Sequence, residues 1–407
     1  MNERVAAIAA LALLNLPTAH AAEEEDPGFT LTVGARETYD ENLYRLADSR
    51  DPALVSGPGA ARDDYVSRIS LGLEQRWQWS RQEVLIDLKG NHDAYRYNDR
   101  LDNESGAARA EWLWQAGERW TGEFGGDYTR TLANFANTQF LGLDLVDTKG
   151  ASWKLAFRLG PQWSLRAAGR HADTEHSAPE RRFDDSRTNS ASVGLQFDTD
   201  SDNEFALSYR TTRAGFDQVG SLDGQAFDRD FDEHSASFRV HYVSNEKTTI
   251  DGSVGYLERE YANAALAGDP RGSFSGGVWD AALQWEPSIK VRVELGGWRK
   301  LRAYLDAESD YFVANGASAE MSWRPTDRFA AALEAEYETQ DYLGSIANLV
   351  EPERRRDVVL SETLTFSYRA LRKLYFDLTG RVEDRDSNRP LLRYDAQVAS
   401  LAARWVY

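Results

Sequence analysis

Two sets of charged residues stand out by type and spacing. Lys154, Arg158, Arg166, Arg170, Arg210 and Arg239 fall on one parity of a series of short alternating stretches. Glu320, Glu334, Glu336 and Glu338 fall on the same parity of later stretches. Residues two apart in a strand share a face, so each set marks the wall its strand presents to one side. The chemistry such rows offer is electrostatic: guanidinium and ammonium groups hold anions, and carboxylates repel them. The same rows serve equally well to solvate a wet wall and to pair with one another. Tyr95, Trp298 and Tyr375 lie on this parity too, and aromatic faces there could stack on sugar rings or simply fill space.

Bond-making chemistry has thin support. The six histidines are His20, His92, His171, His176, His234 and His241, and no Ser-His pairing recurs as a motif around them. The acidic runs Asp184-Asp185 and Asp228-Arg229-Asp230-Phe231-Asp232-Glu233 offer oxygen ligands for Ca²⁺ but match no EF-hand spacing, which favours solvated loops. The reading is therefore of no catalytic residue, no metal and no cofactor. With a formal net charge of −19, the chain is not expected to bind nucleic acid.

The elements that must carry these residues are strands. Ala151, Trp153, Leu155 and Phe157 oppose Lys154 and Arg158; Trp163, Leu165 and Ala167 oppose Arg166 and Arg170. Phe205, Leu207 and Tyr209 oppose Arg210, and Phe329, Ala331, Leu333, Ala335 and Tyr337 oppose the glutamates. The alternation runs from Phe29 to the end of the 407-residue chain and predicts about 18 strands, an even number. Connections alternate in length. Short ones fall at Ser80–Gln82, Gly117-Glu118, Gly160–Gln162, Ser201–Asn203, Ser244–Glu246, Glu286-Pro287, Pro325–Asp327 and Leu371-Arg372. Long ones fall near Ala47–Asp64, Ala133–Asp144, Asp173–Arg187, Gly215–Asp232, Tyr261–Phe274, Leu343–Arg356 and Ser387–Leu392. Outward aromatics gather beside the short turns, as an interfacial girdle does.

Composition agrees. The chain has 12 Trp, 18 Tyr and 17 Phe, too many for a disordered acidic protein, yet its mean hydropathy is −0.59. A transmembrane barrel reconciles the two, because half of each strand faces a wet lumen. The absence of Cys fits a chain that crosses an oxidising compartment. Arg4, the apolar run Val5–Leu16 and Ala19-His20-Ala21 predict a secretory signal peptide over residues 1–21. A short periplasmic N-terminus (22–28) and a single barrel domain (29–407) follow. The fold class expected is all-β: an antiparallel up-and-down outer-membrane barrel of about 18 strands, both termini periplasmic.

The last stretch, Tyr394–Tyr407, puts Ala399, Leu401, Ala403, Trp405 and Tyr407 on one side. It resembles the C-terminal strand by which outer-membrane barrels are recognised and inserted, with Tyr in place of the usual Phe. Trp405 and Tyr407 are thus the candidate membrane-insertion signal, and the barrel-assembly machinery the implied partner.

Three further stretches, Glu37-Thr38-Tyr39-Asp40-Glu41-Asn42-Leu43-Tyr44-Arg45-Leu46, Tyr95-Arg96-Tyr97-Asn98 with Ala110-Glu111-Trp112-Leu113-Trp114, and Gly255-Tyr256-Leu257-Glu258-Arg259-Glu260, resemble the EpsL-type outer-membrane proteins of exopolysaccharide biosynthesis, within the broad class of β-barrel porins. The resemblance implies an outer-membrane channel that exports a polysaccharide chain to the cell surface, in contact with outer-membrane lipid and lipopolysaccharide. It leaves open a periplasmic export partner on the short turns, and carries over no binding residue. Tyr39–Asn42 is expected to anchor a loop rather than touch sugar, and Glu258-Arg259 to form a rim salt bridge. The alternative function, which barrel physics supports equally, is a general or oligosaccharide-selective diffusion porin; an outer-membrane enzyme ranks third.

Overall fold

The alternation closes on itself. In the computed structural model, which describes residues 28–407 except 139, 219, 223–224, 228, 262–272, 307–308 and 344–353, eighteen strands form one antiparallel sheet. They are β1 (Phe29–Asp40), β2 (Asp64–Trp79), β3 (Gln82–Tyr95), β4 (Asn103–Ala116), β5 (Trp120–Leu132), β6 (Leu145–Arg158), β7 (Trp163–His176), β8 (Ser186–Asp198) and β9 (Glu204–Phe216). They continue as β10 (Phe231–Asn245), β11 (Thr248–Tyr261), β12 (Phe274–Ser288), β13 (Val291–Asp306), β14 (Ser309–Thr326), β15 (Phe329–Leu343), β16 (Arg356–Leu371), β17 (Leu374–Ser387) and β18 (Tyr394–Val406). Each strand pairs with the next, and β18 pairs with β1 from Thr32↔Val406 to Asp40↔Val398. Closure leaves no sheet edge unpaired, which a strand crossing lipid requires. The signal peptide and nearly all of the short N-terminus expected from the sequence lie outside the described residues.

Register keeps the two parities apart all the way round. Cross-strand partners such as Leu73↔Leu88, Leu195↔Leu207, Leu283↔Leu295 and Leu333↔Leu364 all point outward. Leu71, Leu207, Val254 and Leu401 are each more than half exposed, a surface that only hydrocarbon can cover favourably. Outward rings meet beside the short turns: Trp120–Phe157 at 4.5 Å, Trp163–Phe197 at 4.8 Å, Phe329–Phe366 at 6.0 Å between centroids. The inner parity carries Ser, Thr, Gly and charged side chains. Among the described residues no helix is long and apolar enough to cross a membrane; the strands do the crossing.

Two expected turns shift. The break anticipated at Glu286-Pro287 is strand, and the chain reverses at 289–290 instead; of the break anticipated at Pro325–Asp327, Pro325 and Thr326 are strand and Asp327 opens the turn at 327–328. The register shifts between Trp285 and Ser288 and between Trp323 and Thr326. A bulge leaves one residue out of the ladder, so each proline, having no N–H to donate, is accommodated without ending the strand.

What buried apolar core there is sits at the rim of the long connections. The β1–β2 connection (41–63) and the β5–β6 connection (133–144) turn inward and pack Tyr44, Leu46, Phe135 and Leu141 against one another and against Leu101 of the β3–β4 connection.

Candidate functional site: the lumen wall and its mouth

All six basic residues point into the lumen, and the structure divides them. Lys154 pairs with Glu123 at 3.2 Å, and Arg170 with Asp127 at 2.6 and 2.9 Å. The side chains of Arg158, Arg166, Arg210 and Arg239 are exposed and make no hydrogen bond or ion pair among the described residues. The four are less tightly spaced than neighbouring-strand positions would be. Arg166 on β7 faces Gly194 on β8, which faces Ser208 on β9; Arg210 on β9 faces Ser192 on β8. A strand carrying only small residues at these levels therefore separates the β7 and β9 guanidinium groups, by about 10 Å between strands. Gly194 and Ser192 leave space in front of the wall for the long side chains to sweep.

The acidic residues lie on the other side of the ring. Glu320 is the direct cross-strand partner of both Glu294 and Glu334, a row of three carboxylates on β13, β14 and β15. Glu294 completes this row although the sequence reading did not single it out. Glu338 is different: it is buried, accepts from Trp298 Nε1 at 2.9 Å and Gln340 Nε2 at 2.8 Å, and pairs with Arg302 at 3.0 Å. It is a structural anion, not part of a wet wall. Trp298 is buried as well, its indole flat over Gly316, where a Cβ would come within 2.3 Å of the ring. It packs with Phe312, Ala314 and Tyr342.

The three candidate stacking residues are not brought together. Tyr95 on β3 packs against the apolar cluster at the long-connection rim, Trp298 is sealed on β13, and Tyr375 on β17 lies near the short turns with Arg404 5.4 Å from its ring. They form no continuous track.

The mouth is the part the sequence left unread. Asn42 clips the β1–β2 connection: its Nδ2 donates to the carbonyls of Leu46 (2.8 Å) and Asp395 (2.9 Å), and its Oδ1 accepts from Leu46 N at 3.0 Å. Arg62 donates to the carbonyls of Leu46, Ala47 and Arg50 at 2.9, 3.1 and 2.6 Å. Asp64 takes the backbone N–H groups of Arg96, Tyr97 and Asn98 at 2.9–3.0 Å. Tyr39–Asn42 and Tyr95–Asn98 are thus loop anchors, as expected of the former. Ser56 Oγ donates to the Leu141 carbonyl at 2.6 Å, fastening the two inward loops together.

The second loop reaches across. It leaves from β5 and returns to β6, yet Arg385 on β17 donates to the Ala136 carbonyl, and the turn Phe135–Asn137 lies within 8 Å, Cα to Cα, of β13. In an 18-stranded ring β13 is on the far side from β5 and β6. The loop therefore spans the mouth. Beside it lies a dense charge network: Arg45 with Asp40 (2.8 and 2.9 Å), Tyr394 Oη donating to Glu383 (2.5 Å), Arg381 with Glu383 (2.7 Å), and Arg355 and Ser387 both on Asp357 (2.6 Å). Arg355 also stacks 3.9 Å from the Tyr342 ring centroid. These paired arginines belong to the mouth, whereas the unpaired ones lie on the open wall.

The remaining residues fall as follows. Asp184 is not a solvated loop carboxylate: it is fully buried between Arg229 (2.6 Å) and Arg181 (2.7 Å), and burial holds it above the usual aspartate range against their pull. Arg259 pairs with Glu233 at 2.6 Å across β10 and β11, not with its chain neighbour Glu258. Trp405 and Tyr407 face outward, and Tyr407 exchanges backbone hydrogen bonds with Leu31 at 2.8 and 2.9 Å at the closing seam. Among the described residues no group of three or more His, Cys, Asp or Glu is placed to hold a metal ion.

Comparison with known proteins agrees with this architecture. The family described as "Putative beta-barrel porin 2" matches residues 244–406. No curated protein sequence matches the chain. Solved structures with the same fold include Pseudomonas aeruginosa OccK9 (11% identity, 93% of this chain and 98% of that one, TM-score 0.50) and OccK2 (8%, 93% and 98%, 0.51). The BenF-like porin from Pseudomonas fluorescens Pf-5 is a third (8%, 94% and 99%, 0.50). OccK2 has also been solved in complex with glucuronate. The fold is the closed β-barrel of these porins, and its apolar belt and wet lumen are what an outer membrane requires.

Proposed function

We propose that the barrel is a selective diffusion porin whose preferred solutes are small anions, sugar acids and other carboxylates of similar size among them. The observation that carries this is the set of four exposed, unpaired guanidinium groups, Arg158, Arg166, Arg210 and Arg239, on the wall facing away from the carboxylate row. In a wet pore each attracts a passing carboxylate by only about 1 kcal/mol, enough to enrich it and too little to trap it. The glucuronate complex of OccK2, a barrel of the same fold, is in keeping with such a solute.

Two inward loops fastened across the mouth favour small molecules over a sliding polymer. The export reading rested on the EpsL-like motifs, and two of those now have a sufficient purpose as loop anchors. The purified barrel in liposomes should pass glucuronate faster than glucose. Equal rates would remove the anion preference, and a deletion strain that loses surface polysaccharide would restore export.

A further inference from the structure

The outer face of β5–β10 carries a depression of about 810 Å³ between the aromatic girdle and the long-connection rim. Two cross-strand rows build it. The lower row runs Phe124–Trp153–Gly169–Ala191–Thr211. Trp153 lies flat over Gly169, where a Cβ would stand 2.5 Å from the indole nitrogen, so an aromatic wall borders a floor of small residues. The upper row runs His171–Asn189–Arg213–Asp232 and is polar throughout. An apolar trough topped by charged groups on a lipid-facing surface has the polarity of an amphiphile lying along the wall.

Depth and charge narrow the occupant. From Trp163 in the girdle to His171 the strand climbs roughly 20 Å along the membrane normal, to the upper edge of an apolar band about 25 Å tall. Headgroups begin there. Arg213 and Arg187 project with side chains 75% and 59% exposed, bonded on one side to Asp232 (2.7 Å) and Asp173 (2.9 Å). His171 places Nδ1 on Asn189 Oδ1 at 2.8 Å and Nε2 on Asp173 Oδ2 at 3.0 Å, so its ring is fixed at the head of the trough and has no free nitrogen to serve as a base.

We propose that this trough seats an acyl chain of lipid A, the phosphorylated and acylated disaccharide of the outer leaflet, with a phosphate against Arg213 and Arg187. Phosphate accepts several charge-assisted hydrogen bonds from guanidinium groups, which a neutral headgroup cannot match. The assignment rests on the long connections facing the outside.

The test is native mass spectrometry of the full barrel in detergent micelles, titrated with bis-phosphorylated lipid A or with phosphatidylethanolamine. The wild type should retain one lipid A at least about tenfold more tightly than phosphatidylethanolamine. Ala191→Trp, which fills the trough, and the double variant Arg187→Gln/Arg213→Gln, at exposed positions that do not threaten folding, should each weaken lipid A by about tenfold or more. Glucuronate flux should be unchanged in both, which separates this site from the channel. Equal retention of the two lipids, unaltered lipid A binding in the double variant, or a detergent-stable dimer that Ala191→Trp dissolves would each overturn the proposal, the last by giving the trough to a second copy.

Discussion

The two sides of the barrel wall are built on different principles. From β16 through β18 to β1 the inward charges are closely matched: near the mouth Arg45 on Asp40 and near Glu383, Arg381 on Glu383 and Arg355 on Asp357, and near the short turns Arg404 on Asp377 at 2.7 Å. Those at the mouth are largely buried, and inward loops lie against them. From β6 to β10 the wall carries Arg158, Arg166, Arg210 and Arg239 with no partner among the described residues, separated by Ser and Gly. Buried charges must be paired, because an uncompensated one costs several kcal/mol. Exposed ones in water cost little and stay available to solute. On the function proposed above, the matched side is scaffold and the unmatched side is where selectivity would reside.

That contrast can be broken from its strongest element downward. Deleting Trp405-Val406-Tyr407 removes the terminal aromatic pair and the short-turn end of the hydrogen-bonded seam with β1 and should abolish assembly, since an edge opened in lipid leaves backbone groups unsatisfied. Heat-modifiable migration of the truncated chain from outer membranes would contradict it. Asp357→Ala leaves Arg355 and Arg385 buried without their shared carboxylate and should cost about 3–5 kcal/mol in urea unfolding from detergent. A loss below about 1 kcal/mol would mean the network is more hydrated than its burial implies. Leu155→Arg on β6 and Leu283→Arg on β12 put charge into the hydrocarbon and should cost about 2–4 kcal/mol each, while polar changes at the inward neighbours Lys154 and Ala282 cost little. Phe135→Ala removes the ring that packs on Tyr44 at 5.0 Å and should loosen the loop across the mouth, raising single-channel conductance with little change in stability of the barrel itself.

Much of this was legible in the residues because the barrel's main rule is local. A period of two, repeated from Phe29 to Trp405, states which side chain faces lipid and which faces water, and register follows from it. The inward placement of all six basic and four acidic residues follows from the same rule. What the parity cannot reveal is which inward charges meet. Lys154 and Glu123 are cross-strand partners, but Arg170 reaches Asp127 across β6, over Gly150, and Trp298 reaches Glu338 across the width of β14. The mouth was illegible for a related reason: Arg385 meets Ala136 on a loop that Ser56 fastens to the β1–β2 connection, whose own path depends on hydrogen bonds from Asn42 and Arg62, and none of these has a periodic signature. Proline misled at residue 287 and less at 325, where a bulge carries the strand past each proline to a turn just beyond it.

The most direct test of the division between scaffold and selective wall is the ratio of glucuronate to glucose flux through the wild type and through Arg158→Gln/Arg166→Gln/Arg210→Gln/Arg239→Gln in liposomes. Because none of the four has a partner to lose, the variant should fold with unchanged heat-modifiability and pass glucose at the wild-type rate. Its glucuronate flux should fall by about fivefold or more, the factor that corresponds to removing a single attraction of about 1 kcal/mol from the path. A variant whose two fluxes fall together, or whose ratio does not move, would contradict the account.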